Sequence, residues 1–205
     1  MGEIRNAERT RGTILQAAKE EFFEKGYTGA RIESIAKRAG VNKQLIYHYF
    51  KGKDELIKET INETIHEFIS SLPSGNLALP ANPVHIAEFR LKLNLEHLRD
   101  FLKFTAWEAV DEVPENVNGE KIRKRILQSY NEDMKSKQEM GLVPEGLDPA
   151  FITLMLSSLT NYPLLYGNVT RMITGHTLDE PEFQQQWASF LRTISERIFR
   201  IEKTH

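Results

Sequence analysis

Residues 32–50 read IESIAKRAGVNKQLIYHYF. Ile32, Ile35, Ala36 and Ala39 make one helical stripe, Gly40-Val41 interrupts it, and Leu45, Ile46, Tyr49 and Phe50 make a second. Two short helices packed at an angle account for this pattern. Ala36 is small where the helices would cross, and Gly40 falls where the connecting turn needs positive φ, which only glycine enters without steric cost. Asn42 is placed to cap the second helix, its side-chain oxygen accepting from an orphan amide of the first turn. Such a layout is a helix-turn-helix, with the second helix as a reader of the DNA major groove.

Turning the second helix at its 3.6-residue period sorts its faces. Ile46, Tyr49 and Phe50 point inward. Gln44 and His48 share the opposite face, flanked by Tyr47 and Lys51, with Lys43 in the first turn. An amide, an imidazole, a phenol and two ammonium groups suit base edges and phosphates, since Gln pairs with adenine N6/N7 and Lys with guanine or phosphate. An ordinary solvated face would have the same composition.

The chain has 205 residues, 40% of them hydrophobic, enough to bury a core, and it has no cysteine. Disulfides, thiolate metal sites and cysteine nucleophiles are therefore excluded, and a cytoplasmic setting is expected. The first residues, MGEIRNAERTRG, lack the apolar core of a secretory signal. Residues 1–53 hold 11 Lys/Arg against 6 Asp/Glu, a net +5, and the remainder holds 16 against 23, a net −7, together giving the chain's −2. A basic head on an acidic body suits a molecule that touches polyanion at one end.

Residues 7–26 carry Ile14, Leu15, Ala17, Ala18, Phe22 and Phe23 at helical spacing, closed by Lys25-Gly26. This helix completes a three-helix unit with the reader. Arg5, Arg9 and Arg11 are either a mobile arm over the DNA backbone or plain solubilising charge. Asp54 is the expected N-cap of a fourth helix, with Leu56, Ile57, Ile61, Ile65, Phe68, Ile69 and Leu72 on one stripe. Pro73-Ser74-Gly75, Pro80 and Pro83 mark a loop over residues 73–83. A long helical pattern over 84–110, broken near Arg99-Asp100, ends at Pro114 and the run Asn116 to Gly119. In 120–140, Ile122, Ile126, Leu127, Tyr130 and Met134 are expected to face inward, with Gly141 as the stop. The most apolar run, Phe151 to Tyr166, reads as a buried helix too short to span a membrane. Two final patterns, 149–171 and 181–202, carry bulky apolar stripes.

Three segments together carry a resemblance. Ile14-Leu15-x-x-Ala18-x-x-x-Phe22-x-x-x-Gly26-Tyr27, Ile32-x-x-Ile35-Ala36-x-x-Ala39-Gly40-Val41 and Tyr47-His48-Tyr49-Phe50-x-x-Lys53-x-x-Leu56 resemble, in order and without a gap, the DNA-binding domain of the tetracycline-repressor (TetR) family of transcriptional regulators. The resemblance implies an all-α fold of about nine helices, with a helix-turn-helix DNA-binding domain over 1–53 and a helical effector-binding and dimerisation domain over 54–205. It also implies a DNA-contact set of Arg31, Asn42, Lys43, Gln44, Leu45, Tyr47, His48 and Lys53. Two departures from the family pattern stand out. Arg31 replaces a Thr or Ser that caps the second helix and bonds phosphate, so the phosphate contact survives better than the cap. Leu45 replaces a smaller residue, which makes a thymine methyl its natural partner. The fourth helix is, by the same resemblance, the lever that carries ligand binding to the DNA heads. The bulky stripes within 149–171 and 181–202 either complete one core or pair with a second copy; the resemblance implies the latter, a four-helix homodimer interface, which agrees with the need for two heads about 34–36 Å apart on a pseudo-palindrome.

His97, Phe101, Phe104, Trp107, Tyr130, Met134, Tyr162 and Tyr166 combine apolar walls with polar tips, a composition that suits a small-molecule cavity. A core whose Tyr and Trp tips find partners has the same composition, and the expectation of a pocket comes from the family. Pro163, inside a helix, would leave a carbonyl without its partner. No cofactor is expected. The six His show no metal-ligand spacing, no nucleophile elbow or phosphate loop is present, and the pairs Glu20-Glu21 and Asp111-Glu112 read as solvated faces. The expected function is a ligand-responsive, homodimeric regulator, a repressor, that binds a palindromic operator and is released by a small-molecule effector. A DNA-binding regulator without an effector, and a helical enzyme or carrier with a fortuitous helix-turn-helix, are the alternatives.

Overall fold

The computed structural model describes residues 2–71, 78–109 and 120–199, and no strand occurs among them. The helices are α1 (Gly2–Gly29), α2 (Ile32–Ala39), α3 (Lys43–Tyr49), α4 (Lys53–Ser71), α5 (Ile86–Leu93), α6 (Arg99–Glu108), α7 (Glu120–Glu139), α8 (Pro149–Leu165), α9 (Gly167–Thr174) and α10 (Pro181–Ile198). A π-helical turn, Asn94–Leu98, carries α5 into α6 without a break, so the described residues form nine continuous helices. None is long and apolar enough to cross a membrane. The chain divides into two compact units, Met1–Asn76 with Lys103–Arg123, and Leu77–Leu102 with Lys124–His205.

In the first unit α1 packs against α2 and α4, and α2 against α3. Ile14, Phe22, Ile35, Ile46, Phe50, Leu56, Ile57 and Ile61 are fully enclosed, so one stripe from each of the four helices supplies the core. Gly26 ends the regular part of α1 with φ 70, as its place after Lys25 predicts. The helix starts earlier than its apolar stripe, which overturns the idea of a mobile arm for Arg9 and Arg11. Thr10 and Thr13 donate to the carbonyls of Asn6 and Arg9 one turn back. Arg11 pairs with Glu59 at 2.7 Å and lies over the Phe50 ring. The side chain of Arg5 lies outside the described residues, as do Pro73-Ser74-Gly75 and the stretch 114–119.

The expected solvated pair Glu20-Glu21 divides. Glu21 is completely buried, and two cations reach it: Arg38 Nε donates to Glu21 at 3.1 Å and Lys25 Nζ at 2.9 Å, while Arg38 also bonds Glu24. Burial raises the Glu21 carboxyl, but the bonds and charges of Lys25 and Arg38 outweigh it and leave the group below its ordinary value. An acidic residue on an otherwise apolar stripe thus ties α2 to α1. Asp111-Glu112 lies outside the described residues.

In the second unit α5 packs against α8 and α10. Its core gathers Ile86, Leu91, Met134, Val143, Ile152, Leu156, Phe183 and Leu191. Gly141 stops α7 at φ 72, and the amide of Leu142 returns to the Lys137 carbonyl at 2.8 Å. Gln138 then pins the next turn by donating to the carbonyls of Pro144 and Leu147. Asp148 caps α8 by accepting from the Ala150 amide at 2.7 Å, with Pro149 at the first helical position.

Three expectations need correction. Leu127 of α7 is exposed, because its stripe drifts off the buried side marked by Tyr130 and Met134. The apolar pattern 149–171 is two helices, since Tyr166, at φ −117 and ψ 49, leaves the helical region before Gly167. The run from Phe151 to Tyr166 is buried on one face only. Phe151 is 71% exposed and Leu154 63%, with Tyr162 and Tyr166 also outside.

Candidate nucleic-acid interface

The turn between α2 and α3 is built as its residues dictate. Gly40 takes φ 67, its amide reaches the Lys37 carbonyl at 3.3 Å, and the amide of Val41 reaches the Ala36 carbonyl at 3.0 Å. This pair of returning bonds ends α2 tightly. Asn42 Oδ1 then accepts from the Leu45 amide at 2.8 Å, so α3 starts on a side-chain cap, a feature that contributes about 1 kcal/mol. Arg31 occupies the N-cap of α2 and makes no side-chain cap, in line with its departure from a Thr or Ser.

Behind the outer face of α3, Ile46 and Phe50 are buried and Tyr49 is half-buried, with its ring against His48 and Phe50. Gln44, Tyr47 and His48 stand exposed on the outer side, as do Lys43 and Asn42, while Leu45 is half-buried. A short capped helix clamped by two buried side chains therefore presents an amide, a phenol and an imidazole outward. Lys43 is engaged twice: it bonds Glu33 of α2 and lies over the Tyr47 ring at 5.8 Å. The bond to Glu33 raises the Lys43 ammonium above its ordinary pKa and lowers that of the Glu33 carboxyl.

Lys53 opens α4, so Asp54 lies inside the first turn and not at the expected N-cap position. Lys53 Nζ lies over the Tyr27 ring at 4.6 Å and reaches the Thr28 carbonyl at 3.5 Å. Asp54 instead accepts from the Tyr27 hydroxyl at 2.5 Å. Burial and this bond push the Tyr27 phenol up to about 12. Glu55 takes over at the helix start, accepting from the Lys51 amide at 2.6 Å. A groove of about 530 Å³ opens here, with Lys51, Lys53 and Lys58 among its lining residues. No motif announced the Tyr27-Lys53-Asp54 group, although the adjacent Gly26-Tyr27 and Lys53 were both in the pattern.

The eight residues expected around a small-molecule cavity do not fall in one unit. Phe104 and Trp107 belong to the first, where Phe104 is fully buried against Phe23. The other six belong to the second. Tyr130 and Met134 are buried on α7, Phe101 is half-buried on α6, and His97 is exposed beside Glu96. Tyr162 and Tyr166 face each other at 4.9 Å on the outer side of α8. Composition did not single out the polar group that crosses this unit's interior. Arg90 donates to Ser157 at 2.8 Å and Asn94 to Asn161 at 2.7 Å, two parallel ties between α5 with its π turn and α8.

Residues 14–60 match the model for bacterial regulatory proteins of the tetR family. The chain is 25% identical over 173 residues to the HTH-type transcriptional repressor SCO4008 of Streptomyces coelicolor, covering 83% of this chain and 86% of that protein. Among solved structures, the regulator FadR from Bacillus subtilis in complex with stearoyl-CoA superposes with a TM-score of 0.66 at 21% identity, covering 88% of this chain and 97% of that one. AibR in complex with isovaleryl coenzyme A and operator DNA gives a TM-score of 0.66 at 17% identity, covering 93% and 98%. These two likenesses concern the fold.

Proposed function

We propose that this chain, whose residues 14–60 match the tetR family of bacterial regulatory proteins, is a cytoplasmic repressor of that family that grips a palindromic operator as a homodimer and releases it when a small-molecule effector binds. DNA contact is assigned to residues 1–53, through Arg31, Asn42, Lys43, Gln44, Leu45, Tyr47, His48 and Lys53. Effector binding and dimerisation are assigned to residues 54–205. The observation that carries this assignment is the outer face of α3, where Gln44, Tyr47 and His48 stand clear of the body on a helix fixed by the Asn42 cap and by buried Ile46 and Phe50.

Pairing is supported by the outer face of α8. Phe151, Leu154 and Tyr162 recur there at helical spacing, and Phe190 is exposed on α10. An apolar stripe of this kind on a single chain calls for cover. A second copy supplies it and at the same time doubles the recognition helix, which alone reads only a few base pairs. For the effector, SCO4008 is named a repressor and FadR is seen with stearoyl-CoA, which supports a small molecule as the releasing signal without fixing its chemistry. Release requires the effector to favour one of two head placements, and its power is bounded by its differential affinity for them.

The test is selection of bound duplexes from a random pool with the purified full-length chain. Two inverted half-sites with centres about one helical turn apart, or a multiple of it, are expected. Absence of any enriched duplex at low salt would sink the assignment.

A further inference from the structure

Arg90 is a buried cation without an anion. Only 8% of its surface is exposed, its hydrogen-bond partner is the hydroxyl of Ser157, and its guanidinium lies over the Tyr130 ring at 4.6 Å. Neither group is negatively charged, and no described carboxylate pairs with it. The other buried cation of this unit, Lys137, differs in this respect: Asp133 holds its ammonium with both oxygens at 2.6 Å. An unpaired charge in a protein interior is expensive, and natural chains meet that expense by pairing or by function.

The surroundings of Arg90 are prepared for a polar guest. One turn before Ser157 on α8, Thr153 is buried with its Oγ1 unpartnered. Asn94, one turn after Arg90, is buried and bonded to Asn161. The apolar cluster of this unit, with Leu91, Met134, Ile152 and Leu156 on the same three helices, is aliphatic in large part. We propose that Arg90 is the anchor of the effector site and that the effector is a monocarboxylate with an apolar body. The inference rests on the effector-released regulator described above and names the chemistry of that effector. A planar fork of N–H donors matches a carboxylate. One guanidinium balances one negative charge, whereas a phosphate monoester would bring nearly two to it. The hydroxyls of Ser157 and Thr153 and the face of Tyr130 then complete a cradle for the head group, while the aliphatic core receives the tail.

The experiment measures the melting temperature of the full-length chain, and operator release in a gel shift, with straight-chain monocarboxylates from acetate to decanoate. Sodium chloride at equal ionic strength and the matching primary amides are the controls. At least one carboxylate should raise the melting temperature by about 5 °C at 100-fold excess over its Kd and release the operator, while its amide does neither. Arg90→Met should melt no lower than the wild type without ligand, because an uncompensated charge has gone, and should lose the carboxylate shift. Arg90→Lys should keep part of it. If amides act as well as carboxylates, or the shift persists in Arg90→Met, a small-molecule effector stands and the role of Arg90 falls. If no carboxylate exceeds chloride, or if Arg90→Met and Arg90→Lys both melt far below the wild type, Arg90 is a structural tie and the proposal is overturned, while operator binding by the wild type still upholds the regulator.

Discussion

The indole N–H of Trp187 on α10 donates to the carbonyl of Leu159 on α8 across 3.3 Å. That carbonyl is the one left over by Pro163, four residues on, whose ring nitrogen carries no hydrogen to return the helical bond. A proline in the helix interior therefore becomes a docking point for a neighbouring helix. Phe183 and Phe190 stack on either side of the indole at 6.3 and 5.2 Å and hold it in place.

Trp187→Phe is accordingly expected to cost about 1 kcal/mol of stability, the net value of one partly buried hydrogen bond. In a Pro163→Ala background the new amide can satisfy Leu159, and the same Trp187→Phe change should then cost less. Urea denaturation of the four variants gives the coupling. Equal costs in both backgrounds would show that the bond contributes nothing.

The Trp187 tie also shows how far the sequence can be read. Pro163 announces an orphaned carbonyl, but the donor comes from 28 residues away, and no local pattern names it. Elements governed by neighbours in sequence were legible: the Gly40 turn, the Asn42 cap, the Gly141 stop and the buried pair Ile46 and Phe50 all follow from spacing and from the conformational freedom of glycine. Features set by tertiary pairing were hidden. Glu21 looks like surface charge until Arg38 and Lys25 converge on it, and Arg90 looks like one charge in a mixed helix until Ser157 and Tyr130 enclose it. Asp54 had the composition of a cap, yet the Tyr27 hydroxyl claimed it. Ser157 and Asn161 are polar residues within an apolar run, and the partners that explain them, Arg90 and Asn94, each lie 67 residues away.

On the reading helix, Gln44→Ala and His48→Ala should relax base preference at individual operator positions, by about 1–3 kcal/mol for each good contact. Lys53→Ala should instead weaken all duplexes alike and reduce the slope of log K against log salt by about one. A gel-shift series on single-base operator variants separates the two effects. Uniform weakening by Gln44→Ala would mean that its amide meets the backbone and not a base.

With Lys43 in the proposed DNA-contact set, Glu33 is expected to compete with DNA for its ammonium. Its carboxylate bonds the ammonium at the rim of the outer face of α3 and is itself exposed. Glu33→Gln removes both the competitor and a negative charge that phosphates must approach. Tighter binding to operator and non-operator duplex alike, with a steeper salt dependence, is expected. Fluorescence anisotropy over a salt series checks it, and unchanged affinity would show that Lys43 makes no phosphate contact.

His176 and Glu180 form a titrating pair at the start of α10, with Nδ1 and Oε2 2.7 Å apart. The Glu180 hydrogen bond raises the imidazole above 6.5. The bond from His176, with those from Thr177, holds the carboxyl at about 2. A raised histidine contributes stability below its unfolded pKa and loses it as pH rises through its folded one. A lowered carboxylate contributes above its unfolded pKa, 4.5, and loses it as pH falls towards 2. The pair is therefore fully formed between about pH 4.5 and 6.5. The stability difference between wild type and His176→Gln should be largest in that window and shrink on both sides, a profile that urea melts at several pH values will trace. A difference that keeps growing above pH 8 would assign it to packing.

Leu154 is the place to break the homodimer without breaking the fold. Its side chain is 63% exposed on the isolated chain, so Leu154→Glu should alter the stability of a single subunit by no more than about 0.5 kcal/mol. In a dimer formed by the outer face of α8 the same change buries two carboxylates against apolar neighbours such as Phe151 and Tyr162, at a cost no interface of ordinary size absorbs. Sedimentation should find the variant monomeric with its helical spectrum intact. Because two tethered heads bind a palindrome with an effective concentration that one head lacks, operator affinity should fall by about 10²–10⁴-fold, while affinity for a lone half-site stays near its wild-type value. A Leu154→Glu chain that sediments as a dimer would move the interface away from α8 and leave the exposed Phe151 and Leu154 without a partner.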